Sequence, residues 1–358
     1  MADAQTLLIL PGGYGDGPEV RRHALMLGLT VIGASSAPAD PAAPEYPTWL
    51  ALPHVSDLGF ADAVAAAITG HGVRHIHASH YAVWFALKDL LPTLAPHVGL
   101  SRGRSNHDLT DRYEALRERV AAPPELPGLE RASEPRPGPN PTLVAGFLRA
   151  AMDIPGESYE PKLLALIEVA RRAPQGDIVE VGCLFGRTAA LLAMLADHFD
   201  LGRVLCVDPW SLVSTEQGNA QLQASSLGFD WDSFRRIFEV NVAPFARGRL
   251  NYIHAPSIEG FARYATGAPA TTEAFGETHY EGRIGLLHID GNHDYAYAAE
   301  DVRSWTPCVR DGGWIVIDDY DWDWGDGPRR VGDAFLASNA ARIRAHFVVG
   351  GALFIQLV

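Results

Sequence analysis

The sequence has few cysteines, no excess of basic residues and no long hydrophobic run. Its three cysteines, Cys183, Cys206 and Cys308, are far apart and odd in number, which predicts reduced thiols rather than a disulfide framework or a zinc site. Lysine and arginine total 29 against 43 acidic residues, a net charge of −14, so no nucleic-acid partner is expected. No apolar run approaches the roughly eighteen residues of a membrane span, and the N-terminus lacks the basic start of a signal peptide. We therefore expect a cytoplasmic protein that binds no membrane.

The chain has 25 prolines, and seven of them lie in one segment. The chain has 358 residues, of which 47% are hydrophobic, enough for two domains. Residues 121–141 carry seven prolines and almost no apolar periodicity, which disfavours both helix and sheet and predicts an extended connector. The predicted domains are residues 1–120 and 142–358.

Both predicted domains alternate short apolar runs with amphipathic helical stretches. In residues 1–120 this alternation predicts a small α/β domain with a parallel sheet. We expect this domain to shape an interface or a substrate entrance and to support a homo-oligomer. In residues 142–358 five strand–helix units are followed by two final strand patterns. Such an order predicts an α/β fold of the Rossmann-like kind, with a parallel sheet covered by helices on both faces and a terminal antiparallel hairpin.

The most informative segment of the second domain is a glycine turn that follows a predicted buried strand. It has the pattern E-x-G-x-x-x-G, with Glu180, Gly182 and Gly186, and a helix begins directly behind it. Asp208 ends the next strand, where a carboxylate can accept both hydroxyls of a ribose. The G-x-G-x-x-G pattern typical of nicotinamide dehydrogenases is absent. Together these features resemble the class I S-adenosylmethionine-dependent methyltransferases.

That resemblance implies a role for each residue of the segment. Gly182 and Gly186 would lie against the methionine part of S-adenosylmethionine, Glu180 would orient the turn, and Asp208 would hold the ribose. The adenine side would be bordered by Trp210 and Ser257.

Three aspartates follow the ends of two later strands. Asp290 ends one strand, and Asp318 and Asp319 end the next. Neighbouring parallel strands end at the same edge of a sheet, so these carboxylates would converge and repel one another. A hard divalent cation removes the conflict, and all-oxygen ligation favours Mg²⁺ over zinc. Helix capping is the simpler alternative, but it accounts for only one aspartate per helix.

The spacing of these residues narrows the resemblance. The pattern D-G-x-H-x-Y from Asp290, followed by D-D-Y from Asp318, resembles the metal-dependent sugar O-methyltransferases of the macrocin and mycinamicin type. The resemblance covers about residues 142–358, with Asp318 standing where the mycinamicin enzyme has a glutamate. It implies that His293 is the general base, and an imidazole can accept a proton near neutral pH. A surface or capping histidine is the alternative.

The sequence therefore predicts a metal-dependent O-methyltransferase that uses S-adenosylmethionine and Mg²⁺. Its substrate would be a small hydroxylated molecule such as a sugar of a glycosylated natural product. Two other functions stay open at this point. One is a metal-dependent hydroxylase with the same fold, since the D-G-x-H-x-Y and D-D-Y patterns also occur in proteins of that kind. The other is a cofactor-binding module without catalysis.

Overall fold

The computed structural model describes residues 5–104, 106–122, 125–211, 216–218 and 230–358. The chain divides into two compact units, Met1–Ala115 and Leu116–Val358. In the described ranges no helix combines the length and the apolar character needed to cross a membrane.

The first unit is built from parallel strands alternating with helices. Its strands are β1 (Thr6–Leu10), β2 (Thr30–Ser35), β3 (Thr48–Ala51), β4 (Val73–Ala78) and β5 (Gly99–Arg102). Its helices are α1 (Gly17–Met26), α2 (Phe60–His71) and α3 (Tyr81–Leu94), and α4 (Asn106–Ala121) crosses the division between the units. The strand order is β3-β2-β1-β4-β5 with every pairing parallel, as the sequence predicts.

The division of the chain lies ahead of the proline-rich segment, which belongs to the second unit. Residues 123 and 124 of this segment lie outside the described residues. Between the end of α4 at Ala121 and the start of α5 at Pro141, the described part has no regular structure except a short 3-10 turn at Leu129–Arg131, and it runs along the second unit. Ser133 and Gln356 exchange two hydrogen bonds (2.9 and 2.6 Å), and the backbone N–H of Arg136 donates to the carbonyl of Arg171 (2.8 Å).

The second unit has a seven-stranded sheet in its described part. The strands of this sheet are β6 (Asp177–Val181), β7 (Val204–Asp208), β8 (Leu250–His254), β11 (Ile284–Ile289), β12 (Val309–Ile317), β13 (Ile343–Val349) and β14 (Ala352–Leu357). The helices are α5 (Pro141–Met152), α6 (Glu160–Ala170), α7 (Arg187–His198), α8 (Trp231–Ala246), α9 (Ser257–Ala265), α10 (Tyr295–Trp305) and α11 (Gly327–Ser338). A small hairpin, β9 (Ala270–Thr272) and β10 (Gly276–Thr278), was not predicted from the sequence.

The strand order confirms the predicted architecture of this unit. The sheet runs β13-β14-β12-β11-β6-β7-β8, with β14 antiparallel to both of its neighbours and the other pairings parallel. One face packs on α5 to α8 through residues such as Leu148, Leu166 and Phe238. The other face packs on α9 to α11 through residues such as Trp305 and Val331. The result is a sheet between two layers of helices.

The register of the parallel strands aligns their carboxyl ends in one row. Val181, Ile289 and Ile317 are paired across β6, β11 and β12. The ladder continues one residue further, because the N–H of Asp290 donates to the carbonyl of Val181 (2.8 Å) and the N–H of Asp318 to that of Ile289 (2.9 Å). The glycine turn and the aspartates therefore follow adjacent strands at the same edge, where open α/β sheets bind ligands.

Gly182, directly after β6, lies very close to the backbone of Asp290, directly after β11. Its φ is +83°, and a Cβ atom there would lie 1.8 Å from the carbonyl oxygen of Asp290. Only glycine can therefore join β6 to the turn at this distance from β11.

We expect Gly182→Ala to destabilise the fold more than Gly267→Ala, measured as the free energy of unfolding in denaturant. Gly267 also has a positive φ, +72°, but open space around it. The left-handed backbone should cost the Gly267 variant about 1–2 kcal/mol. The clash should cost the Gly182 variant a further ~1–3 kcal/mol or more. Equal losses in the two variants would contradict the crowding argument.

Candidate active site

The glycine turn is fixed by backbone conformations that favour glycine. Gly186 has a φ of +89° and stands immediately before α7, and a Cβ there would lie 2.7 Å from Cγ1 of Val242. The turn therefore packs closely on α8 at one end and on β11 at the other. The N-terminus of α7 lies at the carboxyl edge of the sheet, and such a helix end suits an anionic ligand group.

Asp208 is the residue that holds this turn. Its carboxylate accepts hydrogen bonds from the backbone N–H groups of Cys183 (2.7 Å), Leu184 (3.0 Å) and Trp210 (2.7 Å). Burial raises the pKa of Asp208, and the three hydrogen bonds act in the opposite direction. Asp208 thus connects the end of β7 to the turn after β6, and its predicted contact with a ribose stays a prediction.

The two residues predicted to border adenine are engaged in packing instead. Trp210 is only 3% exposed, and its indole N–H donates to the carbonyl of Leu184 (2.9 Å). Ser257 begins α9, and its hydroxyl accepts a hydrogen bond from the indole N–H of Trp305 (3.0 Å). The sequence placed both residues at the right edge of the sheet but could not give the direction of their side chains.

The acidic edge contains a lysine that the sequence analysis missed. Lys162 of α6 is buried, and its ammonium group donates to Oδ2 of Asp318 and lies 3.9 Å from Oδ2 of Asp290. The other oxygen of Asp318 accepts the backbone N–H of Asp319 (3.0 Å). Of the predicted ligands Asp290, Asp318 and Asp319, Asp318 is the one whose carboxylate accepts a hydrogen bond from a lysine, and the ligand set stays a prediction.

A buried ionic chain continues from Asp318 into the sheet. Nε2 of His288, next to the last residue of β11, lies 3.5 Å from Oδ2 of Asp318, and its Nδ1 lies 3.1 Å from Oε1 of Glu180 on β6. Glu180 is 1% exposed, and one of its carboxylate oxygens lies within 4.8 Å of Sγ of Cys183 in the turn. Its role in orienting the turn stays a prediction. With Lys162 and His288 as cations, the four groups are neutral as a set.

The pKa values at this edge follow from burial and from these neighbours. Burial lowers the pKa of His288, but the carboxylates of Asp318 and Glu180 outweigh it and raise that pKa to about 9. Burial raises the pKa of Asp318, but Lys162 and His288 outweigh it and hold that pKa well below its usual range. Burial and Asp318 raise the pKa of Asp290, although 28% of its side chain reaches solvent and weakens the effect.

The remaining groups at the edge are suited to a cation. Asp290, His293 and Asp319 each offer a ligand atom within 4.8 Å of the other two, and all three are partly exposed. Asp290 also forms such a group with His288 and Asp318, which are both buried. Nε2 of His293 lies 2.7 Å from Oδ2 of Asp319. The oxygen donors of Asp290 and Asp319 fit Mg²⁺, which usually takes one or two carboxylates and retains water.

His293 is positioned by a segment that is distant in sequence. Its Nδ1 lies 2.9 Å from Oε1 of Gln217, and the flanking Asn292 donates to the carbonyl of Glu216 (2.8 Å). The ring of Trp322 lies 4.5 Å from the imidazole. Residues 216–218 thus run beside the loop that carries His293 and fix the direction of its ring.

Comparison with known proteins identifies the part of the chain that forms this site. A family described as "Methyltransferase domain" matches residues 179–320, which include the glycine turn, Asp208 and all three aspartates. We call the second unit, Leu116–Val358, the methyltransferase domain after this match. The predicted class I fold and methyltransferase activity are confirmed by this match and by the strand order of the sheet.

Solved structures that are similar to this chain include three enzymes. The O-methyltransferase NovP is 15% identical, with 60% of this chain and 79% of that chain covered and a TM-score of 0.37. CalS11, a TDP-rhamnose 3'-O-methyltransferase of calicheamicin biosynthesis, is 14% identical, with 75% and 85% covered and a TM-score of 0.34. MycE of the mycinamycin pathway, solved with Mg, S-adenosylhomocysteine and mycinamycin VI, is 15% identical, with 52% and 46% covered and a TM-score of 0.32. No curated protein sequence matches the chain.

Lys162 and Gln217 of the methyltransferase domain were missed for different reasons. Lys162 lies within the apolar pattern of α6, beside Leu163 and Leu166, and a lysine on the buried face of a helix is a signal that could have been recognised. Gln217 offers no such signal, because its contact with His293 joins residues 76 positions apart.

The ionic chain of the methyltransferase domain should make its stability depend on pH. Because the pKa of His288 is raised from 6.5 to about 9, its proton stabilises the fold fully below pH 6.5, and this stabilisation is lost as the pH rises through about 9. The loss should be on the order of 3 kcal/mol. Denaturant unfolding in chelator should show this loss for the wild type and not for His288→Gln. If the difference in the free energy of unfolding between the wild type and His288→Gln stayed constant from pH 6.5 to about 9, the role of His288 would be contradicted.

Proposed function

We propose that the methyltransferase domain transfers a methyl group from S-adenosylmethionine to a hydroxyl group of a small molecule. The observation that carries the proposal is the contact between the glycine turn and the acidic edge at Gly182 and Asp290. A methyl donor bound on the turn would be next to an acceptor bound at the aspartates. Such a reaction depends mainly on alignment, since the sulfonium already activates the methyl group.

For the cofactor, we propose the contacts that the resemblance implies. Gly182 and Gly186 would allow the backbone to approach the methionine part, with its carboxylate near the N-terminus of α7. The carboxylate of Asp208 accepts three hydrogen bonds and has about four acceptor sites, so one ribose hydroxyl is the most that it would hold without rearrangement. Glu180, Trp210 and Ser257 would act through the framework around the cofactor.

On the acceptor side, we propose His293 as the general base. Gln217 engages Nδ1, which would leave Nε2 to accept the hydroxyl proton once Asp319 turns to a cation. Mg²⁺ on Asp290 and Asp319 would supply positive charge that makes the acceptor hydroxyl more acidic. The oxygen then forms a bond to the methyl carbon, the carbon–sulfur bond breaks, and the proton stays on His293.

A sugar hydroxyl of a glycosylated natural product is the acceptor class that we favour. Trp322 presents its ring beside His293, and Trp324 in the same loop is about half exposed. Aromatic faces near carboxylates suit sugars, which combine apolar C–H patches with hydroxyls. For the first unit, a role in self-association stays a prediction.

A hydroxylase is the alternative that the sequence left open, and the ligand set disfavours it. Asp290, His293 and Asp319 supply two carboxylates and one imidazole, whereas non-haem iron oxygenases hold iron with two histidines and one carboxylate. In a hydroxylase His293 would be a metal ligand rather than a base.

Incubation with labelled S-adenosylmethionine and a panel of hydroxylated glycosides tests the proposed function. We expect transfer of the label to an acceptor oxygen, loss of transfer in chelator and recovery with Mg²⁺. A product that requires iron and oxygen and carries no label would indicate the hydroxylase. Cofactor binding without turnover of any glycoside would contradict the proposed reaction and favour a binding module.

The variant His293→Gln tests the general base. Turnover should fall by roughly 10²–10⁴-fold while the affinity for S-adenosylmethionine stays near that of the wild type. His279→Gln is the matched control, because His279 is an exposed histidine whose ring bonds to Glu277. Turnover equal to wild type at saturating acceptor and Mg²⁺ would rule out His293 as the base.

A further inference from the structure

Lys162 occupies a fixed position against the acidic edge. It lies in the first turn of α6, directly after Pro161, and its side chain is 4% exposed. The turn between β13 and β14 packs directly on it, since a Cβ atom built on Gly350 would lie 2.8 Å from Cβ of Lys162. The ammonium group is therefore directed into the edge of the sheet by two neighbouring elements.

Both oxygens of Asp318 are engaged inside the protein. Oδ2 contacts the ammonium group of Lys162 and lies 3.5 Å from Nε2 of His288. Oδ1 accepts the backbone N–H of Asp319, at the residue where φ is +52°. Asp318 is also 5% exposed, whereas about a quarter of the side chain of Asp290 and of Asp319 is exposed. The three aspartates thus divide into one internal and two accessible carboxylates.

We propose that Lys162 is a positioning residue that keeps Asp318 out of the cation site. The divalent cation is confined to Asp290 and Asp319, and Lys162 sets the number of carboxylates available to it. This inference rests on the proposed cation-dependent function and departs from the three-aspartate site that the sequence resemblance implies.

The arrangement has a direct consequence for cation affinity. Affinity for hard cations depends on the number of charged ligands and on the rigidity of the site. With Lys162 present, the site has two carboxylates and a fixed positive charge 3.9 Å from Asp290. Removal of Lys162 alone frees a third carboxylate and removes this repulsion, so the site should bind cations more tightly.

Titration calorimetry with MgCl₂ and with MnCl₂ on the full chain tests the inference. The decisive variant is the double substitution Lys162→Met with Asp318→Asn, which replaces an ion pair by a neutral pair and so leaves the net charge of the site unchanged. Lys162→Met alone is the second variant, and Asp319→Asn is the reference for the loss of a true ligand. Lys162→Gln with Asp318→Asn gives a second neutral pair that can retain a hydrogen bond, in case the methionine variant does not fold.

The expected order of affinities is specific to this proposal. The neutral-pair variants should bind both cations within about threefold of the wild type, whereas Asp319→Asn should lose roughly tenfold or more and Lys162→Met should gain roughly tenfold. A loss in the neutral-pair variants equal to that of Asp319→Asn would overturn the role of Lys162, since Asp318 would then be a ligand. No effect of Asp319→Asn would overturn the proposed cation site itself.

Discussion

The ion pair between Lys162 and Asp318 is the interaction on which the edge of the second sheet depends. Asp290, Asp318 and Asp319 follow adjacent strands, and Glu180 lies behind them, so this edge would carry a concentration of buried negative charge without internal cations. Removing one partner of a buried ion pair typically costs about 3–5 kcal/mol, because the other charge is left without compensation. Lys162 from α6 and His288 from β11 provide that compensation within the protein.

This neutral chain also explains how the edge can serve a ligand. The charges of Asp318 and Glu180 are balanced below the surface, which leaves Asp290 and Asp319 as the carboxylates that face outward with His293. The crowded approach of Gly182 to Asp290 places the glycine turn beside them. A methyl donor and an acceptor would therefore bind side by side on a rigid framework, as a reaction that depends on alignment requires.

Much of this arrangement could be predicted from the sequence, because parallel strands end at one edge. The positions of Gly182, Asp208, Asp290 and Asp319 at that edge follow from the strand patterns alone, and so does the antiparallel end of the sheet. Trp210 was placed at the correct strand end, but whether its indole faces a ligand or the core depends on packing with Phe238 and Tyr252.

Contacts between distant segments could not be predicted in this way. Lys162 and Asp318 are 156 residues apart, and no local pattern indicates that the first turn of α6 reaches the end of β12. From the sequence alone, a metal ion was therefore the one positive charge expected to offset the repulsion among the aspartates. In the structure Lys162 provides part of that positive charge. The β9–β10 hairpin was missed because its three-residue strands are too short to show a period.

The most direct test of this account is a crystal structure of the full chain grown with Mn²⁺ and S-adenosylhomocysteine, with anomalous scattering used to locate the metal. The account predicts one Mn²⁺ peak within bonding distance of carboxylate oxygens of Asp290 and Asp319, with Lys162 still paired to Asp318. A peak bound by Asp318, with the ammonium group of Lys162 displaced from it, would contradict the account.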